Sequence, residues 1–415
     1  MTVDVELQIN NSIDPRARFV SWVPSPCRVR VTNPAGATSP TVDVQITGRS
    51  TASSGAVVFR TNTTGQFSDT LTVPVPTNGS SVSFFVAGKS GRPSVNNGDV
   101  TIEARAGTTL VGSVPVMVRV RKNANTLTPD ERDRFVSALA QLNNQGTGRF
   151  SDFRDMHAEA ALSQAHGAPG FLPWHRAYLL DLERELQAID PSVSLPYWRF
   201  DQAAPNIFKP EFLGASDDLG NVQFSASNPL QFWRTDDVPG IIRRPIPGFN
   251  VNGVPPGLLN ETQTLGLGTL YRIFRRMEVN PHNRAHTRFD NTSLVSDPAT
   301  APRDPLFFLL HCNVDRLWAK WQRQNSRFDP ALAASYDSDP PSLPGHNLPN
   351  TMWPWNGITT AQDNTRPPTA PGGTLAPSPG VSAPGLQPRV QDLLDYQGVI
   401  DAASRMGFDY DDVPF

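Results

Sequence analysis

The sequence predicts a multidomain protein in which an N-terminal all-β sandwich, residues 1–118, precedes a mainly α-helical bundle with long loops, residues 119–415. Three observations lead there. At 415 residues the chain is longer than one ordinary core accommodates. Its first 120 or so residues hold short alternating or β-branched runs, with no histidine and no helical period. From Arg121 onward the apolar residues recur at helical spacing, and all seven histidines appear there.

The β runs are Val3–Ile9, Cys27–Thr32, Thr41–Thr47, Ala56–Arg60, Ser68–Val75, Ser81–Val86, Val100–Ala104 and Val111–Arg119, separated by Gly, Pro, Asn and Ser clusters. Regular spacing of this kind predicts an antiparallel sandwich of roughly seven to eight strands, a module in which nothing suggests chemistry. In the second half, Thr128-Pro129-Asp130-Glu131 is a capping-box start with proline at the first helical position, predicting a helix to about Leu142. Further helices are expected near 151–164, 174–189, 265–277, 281–289 and 304–325, joined by Pro/Gly-rich connections over 201–264 and 337–387. The stretch from Asp337 to Gln387 is rich enough in proline to be expected as a surface wrap.

Composition narrows the function. A net charge of −3 provides no electrostatic reason to expect nucleic acid or an anionic membrane as partner. No apolar run approaches a membrane span, and Met-Thr-Val-Asp-Val-Glu-Leu lacks a basic start and an apolar signal core, so a cytoplasmic location is expected. The two cysteines, Cys27 and Cys312, make neither a disulfide framework nor a thiolate metal site. Any bound metal therefore falls to histidine or carboxylate.

Six of the seven histidines form two groups, His157, His166 and His175, then His282, His286 and His311. His175 precedes Tyr178, Leu179 and Leu182 at helical spacing, which puts it on the buried stripe. His311 aligns in the same way with Phe307, Val314 and Trp318, and His157 with Phe153 and Ala161. His282 and His286 are one turn apart on one face, continued by Phe289. Gly167, Pro169, Gly170 and Pro173 break the helix after His166, so that histidine is expected to reach the site from a loop. One histidine on an apolar face is more often a hydrogen-bonded core residue than a ligand. Six buried imidazoles need partners that the neighbouring segments do not offer, and convergence on metal is the simpler account. Magnesium and calcium prefer oxygen ligands, and di-iron carboxylate sites need paired Glu-x-x-His units. A zinc pair without a bridging carboxylate is unusual, whereas imidazole-rich sites suit copper.

Two segments then resemble a known family. The first holds His166-Gly167, Phe171-Leu-Pro-Trp-His175-Arg176 and Leu195-Pro-Tyr-Trp198. The second holds Pro281-His282-Asn283-x-x-His286 and Asp304-Pro-Leu-Phe307-Phe-Leu-Leu-His311-Cys-Asn-Val-Asp315-Arg-Leu-Trp318. Together they resemble the copper-binding signatures of the tyrosinase, catechol oxidase and haemocyanin family of type-3 copper proteins. The resemblance implies a four-helix-bundle dicopper domain over 119–415. In it His157, His166 and His175 would hold one copper ion, and His282, His286 and His311 the other. Asp315 would orient a ligand imidazole and Phe307 would pack against the ligands. Glu278 resembles the family's water-orienting glutamate, which acts with Asn283 to help deprotonate a bound monophenol. Phe408-Asp409-Tyr410 resembles the motif closing the catalytic domain, with Arg119 or Arg121 as its partner.

Departures matter as well. Leu310-His311 stands where the family usually has two histidines, which bears on substrate preference. Plant and fungal members link a cysteine to the second ligand histidine, and neither cysteine here is placed for that, so the chain resembles a bacterial-type member. The implied function is a copper oxidoreductase that ortho-hydroxylates monophenols and oxidises o-diphenols to o-quinones with dioxygen. Alternatives are a catechol or o-aminophenol oxidase without the hydroxylation step, a haemocyanin-like oxygen carrier, or, disfavoured for want of carboxylate ligands, a dizinc hydrolase. Gating residues are sought within Asn291–Arg303, and His346 is expected to be a loop residue without a metal role.

Overall fold

The computed structural model describes residues 3–35, 37–157, 159–235, 237–246, 256–338, 345–357 and 373–415, without the side chains of 159 and 160. The fold is mixed, with several sheets and several helices, and its contacts divide it into two units. One comprises Met1–Val120, Ser378–Ser382 and Asp401–Phe415, and the other Arg121–Pro377 and Ala383–Ile400.

In the first unit the strands are β1 (Asp4–Ile9), β2 (Phe19–Val20), β3 (Ser25–Asn33), β4 (Thr41–Arg49), β5 (Val57–Arg60), β6 (Thr70–Pro76), β7 (Val82–Gly88), β8 (Val100–Ala106) and β9 (Thr109–Val118). They form a sheet of order β1-β3-β7-β5 and another of order β2-β9-β8-β4-β6. Alternation decides the facing. In β3, Cys27, Val29 and Val31 point inward while Arg28 and Arg30 face water, and Val44 and Ile46 do the same for β4. Both inner faces feed one apolar cluster. Strand β2 has only two residues and pairs in parallel with β9, too short to carry a readable period.

The chain's end belongs to this unit, which corrects the expectation that all of 119–415 forms one domain. Trp22 Nε1 donates to Tyr410 O at 2.7 Å, and Val23 N donates to Asp409 Oδ2 at 3.3 Å. Arg405 donates to Ser25 Oγ at 3.0 Å and to Asn10 Oδ1 at 2.7 Å, and Phe415 packs on the apolar cluster. Of the two arginines considered for the Phe408–Tyr410 motif, Arg119 lies over the Phe19 ring at 4.4 Å. Arg121 is engaged by two acids of the second unit, Glu183 and Asp315.

The helices of the second unit are α1 (Pro129–Leu142), α2 (Phe150–Met156), α3 (Glu159–Ala165), α4 (Phe171–Ile189), α5 (Glu261–Leu265), α6 (Tyr271–Phe274), α7 (Arg284–His286) and α8 (Leu306–Asn325). Helix α1 starts with the reciprocal Thr128/Glu131 capping box. Pro173 lies inside the first turn of α4, where a missing N–H costs no intrahelical bond. The helices expected over 265–277 and 281–289 are instead a series of short turns, including a π turn at Val279–Asn283 with a kink at Asn280. Pro281 accounts for the kink, since it lacks an N–H and drives the preceding residue out of the helical region, here to φ −152° and ψ 115°. The 201–264 connection folds two small hairpins, Ala215–Ser216 with Val222–Gln223 and Arg234–Thr235 with Val238–Pro239. The wrap expected over 337–387 lies partly outside the described residues. Among the described residues no helix is long and apolar enough to cross a membrane.

Helices α4 and α8 are buried almost all round, beyond the single stripe of a surface helix. Their charged residues therefore need internal partners. Arg176 Nε donates to Asp315 Oδ1 at 2.6 Å, and Arg121 pairs with Glu183 at 2.7 Å and with Asp315 at 3.2 Å. At the start of α8, Arg243 grips Asp304 through Nε at 2.8 Å and Nη2 at 2.6 Å, both side chains being buried. Asp304 Oδ1 also accepts from Leu306 N at 2.9 Å, which ties the hairpin region to the first turn of α8. Removing one member of such a pair strands the other charge away from water. Arg243→Met should therefore lower the stability of the metal-free protein by about 3–5 kcal/mol, read from urea unfolding. A loss under about 1 kcal/mol would show that water reaches Asp304 instead.

Candidate metal centre

The second unit brings the six histidines to one place. His157 is the residue that ends α2, with φ −104° and ψ 25°, so it belongs to a helix terminus rather than to the continuous helix expected over 151–164. His166 follows α3, just before Gly167, whose φ of +74° turns the chain. His175 lies in the first half of α4, His282 in the π turn, His286 in α7 and His311 in α8. The ligand-capable nitrogens of His157, His166 and His175 all lie within 4.8 Å of one another, and so do those of His282, His286 and His311. The two triads meet through the rings of His175 and His311, stacked at 4.0 Å between centroids and 8° between planes.

Hydrogen bonds at Nδ1 determine where the protons sit. His157 Nδ1 faces Pro298 O at 2.9 Å, His175 Nδ1 faces Phe171 O at 2.8 Å, and His286 Nδ1 faces Val295 O at 2.6 Å. Carbonyl oxygens only accept, so each of these rings carries its proton on Nδ1 and leaves Nε2 as a bare lone pair. His282 Nδ1 shares its proton between Glu278 O at 3.1 Å and Asn283 Oδ1 at 2.8 Å. His166 Nδ1 lies 3.2 Å from Glu278 Oε1. The Nε2 atoms then face one another. His157 and His166 are 2.9 Å apart at Nε2, His282 and His311 are 3.2 Å apart, and His175 Nε2 is buried with no hydrogen-bond partner.

At His157 and His166, whose protons both sit on Nδ1, two lone pairs at hydrogen-bond distance repel unless a cation lies between them. Protonation is a poor solution here. Burial, reinforced by the neighbouring imidazoles, pulls His157, His175, His282 and His311 well below the usual histidine value, and burial takes His286 down to about 4. Neutral imidazoles with converging Nε2 atoms and carbonyl-anchored Nδ1 protons are what a metal ion requires, and the two triads fit one ion each. Six nitrogen donors without a carboxylate between them favour copper over the hard, oxygen-seeking cations.

Aromatic rings pack the ligands in place. Phe307 lies 4.3 Å from His311 and 4.9 Å from His157, and Phe171 lies 4.9 Å from both His175 and His282. A cavity of about 240 Å³ reaches the centre, lined by four of the histidines with Asn283, Thr287, Ser296, Pro298 and Phe307. Ser296 and Pro298 fall within the 291–303 stretch, and Pro298 also supplies the carbonyl that anchors His157.

Asp315 was expected to orient a ligand imidazole. Its carboxylate faces Arg176 and Arg121, and each ligand Nδ1 is bonded elsewhere except that of His311, which is buried without a partner. The spacing of one turn from His311 is compatible with either partner, and the guanidinium of Arg176 occupies the place. Cys312 is buried with its thiol near Leu195 O at 3.6 Å, and buried Cys27 lies in the other unit. Sequence reasoning also missed the backbone anchors Pro298 O and Val295 O, because a carbonyl leaves no mark on residue type. Glu278 Oε1 accepts from Gly167 N at 2.7 Å and faces His166 of the first triad.

Known proteins resemble this chain. A family model described as the common central domain of tyrosinase matches residues 147–324. The chain is 33% identical over 286 residues to a tyrosinase of Streptomyces antibioticus, covering 60% of this chain and 97% of that protein. It is 34% identical over 275 residues to a tyrosinase of Streptomyces glaucescens, covering 58% and 94%. With grixazone synthase of Streptomyces griseus it shares 29% over 313 residues, covering 60% and 98%.

Acid should destabilise the metal-free protein. Histidines held below 6.5 in the fold take up protons more readily once unfolded, so stability rises with pH and is lost as pH falls from about 6.5 toward 4. Each such histidine adds up to about 1.4 kcal/mol per pH unit in that window. Urea midpoints at pH 7.5 and 5 would read this, and equal midpoints would contradict it. Bound metal should suppress the loss, because it binds the folded state and competes with the protons.

Proposed function

The chain belongs to the tyrosinase family, whose centre holds two copper ions, and from that premise we propose that it hydroxylates monophenols at the ortho position and oxidises the resulting o-diphenols to o-quinones with dioxygen. In this reading His157, His166 and His175 hold one copper ion, and His282, His286 and His311 the other. When bound, the pair supplies the redox couple that reduces dioxygen and a Lewis-acid site for a phenolate oxygen.

The observation that carries the proposal is the cavity beside the triads, with exposed Asn283 and Thr287 among its lining residues. A phenol ring needs such an approach, and a reversible oxygen carrier does not. Phe307 and Pro298 supply apolar surface for a ring there, and Asn283, Thr287 and Ser296 a polar edge.

Deprotonation falls to Glu278 and Asn283. A phenol has a pKa of about 10, so most of it is neutral at pH 7, while phenolate is the form that binds a cation. Glu278 Oε1 is taken by Gly167 N and His166, which leaves Oε2 as the oxygen free to accept from a water. Asn283 Oδ1 is taken by His282 Nδ1, which leaves its amide N–H groups to donate. Glu278 as acceptor and Asn283 as donor can hold one water in place and receive, through it, the phenol's proton. By the same reading, the two sheets of the first unit are an accessory β-sandwich and the helices of the second a four-helix bundle.

Oxygen uptake by the copper-loaded protein, with a simple monophenol and with catechol, tests the proposal. Uptake with both is expected. Uptake with catechol alone would reduce the protein to a diphenol oxidase, and silence with both would point to a carrier. Glu278→Gln and Asn283→Ala should each lower monophenol turnover by about tenfold or more, within the range of a lost general base. Catechol turnover should fall far less, and equal losses on the two substrates would refute the assigned roles.

A further inference from the structure

We infer that His346, the seventh histidine, is the positioning residue for the loop that carries His166, and so governs how firmly the first triad retains its metal. His346 is no ligand. Its ring is 2% exposed and bonded at both nitrogens to backbone on either side of His166. Gly170 N donates to His346 Nδ1 at 3.0 Å, so Nδ1 is bare. His346 Nε2 faces Ser163 O at 2.9 Å, a carbonyl that can only accept, so the proton sits on Nε2. One neutral imidazole thus spans from the last turn of α3 to the residue before α4, and the turn 164–169 with His166 lies between those two points.

The span is tight and supported. A Cβ added to Gly170 would sit 2.7 Å from His346 Nδ1 and 3.0 Å from Gln164 O, so only glycine fits. Tyr336 Oη donates to His346 O at 2.8 Å, and a few residues on, Trp353 N donates to Gln164 Oε1 at 3.0 Å. Trp174 Nε1, one residue before His175, donates to Trp353 O at 2.8 Å. The segment 345–353 is therefore a strap laid over the α3–α4 turn, with His346 as its fastening.

His166 needs such a fastening more than His175 and His311 do. His175 and His311 sit inside long buried helices, whereas His166 follows a short helix and its side chain is 20% exposed. Glu278 holds the turn from one side through Gly167 N, and His346 holds it at Ser163 and Gly170. Groups that orient a ligand without touching the metal typically change metal affinity by about 10–100-fold when removed.

The inference rests on reading His157, His166 and His175 as one copper's ligands. The test is the rate of copper loss from the full-length, copper-loaded protein to a chelator, with electron paramagnetic resonance as a second readout. His346→Leu should release one of the two coppers at least about tenfold faster and leave an isolated cupric signal. His346→Gln, which can accept from Gly170 N and donate to Ser163 O, should restore most of the parental rate. Gly170→Ala approaches the same contact from the other side and should repeat the selective loss, which keeps the test available should the leucine variant not fold. Parental release rates in His346→Leu or Gly170→Ala, or a glutamine variant no better than leucine, would overturn the inference. A parent protein that never binds two coppers would instead overturn the ligand reading beneath it.

Discussion

Everything at this centre depends on the contact between α4 and α8. His175 and His311 stack flat against each other at 4.0 Å, one from each helix. Right behind them, Arg176 and Asp315 form an ion pair of 2.6 Å with both side chains buried. Such a pair does little for net stability against an apolar replacement, because both charges lose their water. Its value is geometric. The guanidinium fork fixes the axial register of the two helices, and it is locked further by Gln322 Oε1 at 3.0 Å, Leu393 O at 2.8 Å and the Trp318 face at 3.7 Å. A slip of α4 along α8 would break all of these contacts together and separate the two triads.

The remaining ligands are placed by progressively less regular structure. His157 and His286 are held by carbonyls of the 291–303 stretch, so the loop that lines the cavity also orients two ligands, one from each triad. Changes in that loop that alter the cavity will therefore also reach the metals. Glu278 joins the two triads in a different way. Its carboxylate faces His166 of one while its main-chain carbonyl accepts from His282 of the other. One residue is thus tied to a histidine of each triad.

Much of this was legible in the sequence for identifiable reasons. The eight strand runs emerge because a half-buried strand must alternate, and only the two-residue β2 lacks the length to show a period. Helix α1 is announced by local chemistry, the Thr128-Pro129 start and the Glu131 box. The six histidines stood out because imidazole is rare on apolar stripes and this chain has only one other. His346 reads only as a loop residue because nothing in Pro344-Gly345-His346-Asn347 signals burial; a loop histidine becomes a clamp only when another segment folds under it. Asp315 meets guanidiniums that its spacing did not name, for a related reason. Helical spacing gives the face on which a carboxylate lies, and not which of several cations on other elements arrives there.

Residue type and spacing by themselves singled out the six histidines as candidate metal ligands, the β-then-helical order of the chain and the fitness of imidazole donors for copper, because these follow from local periodicity and donor chemistry. Tertiary structure alone decided which backbone carbonyls hold the imidazole protons, which guanidiniums meet Asp315, and that residues 401–415 join the strands rather than the helices. Those outcomes depend on contacts between segments far apart in the chain, and a backbone oxygen or a shared buried partner has no signature in the order of the residues.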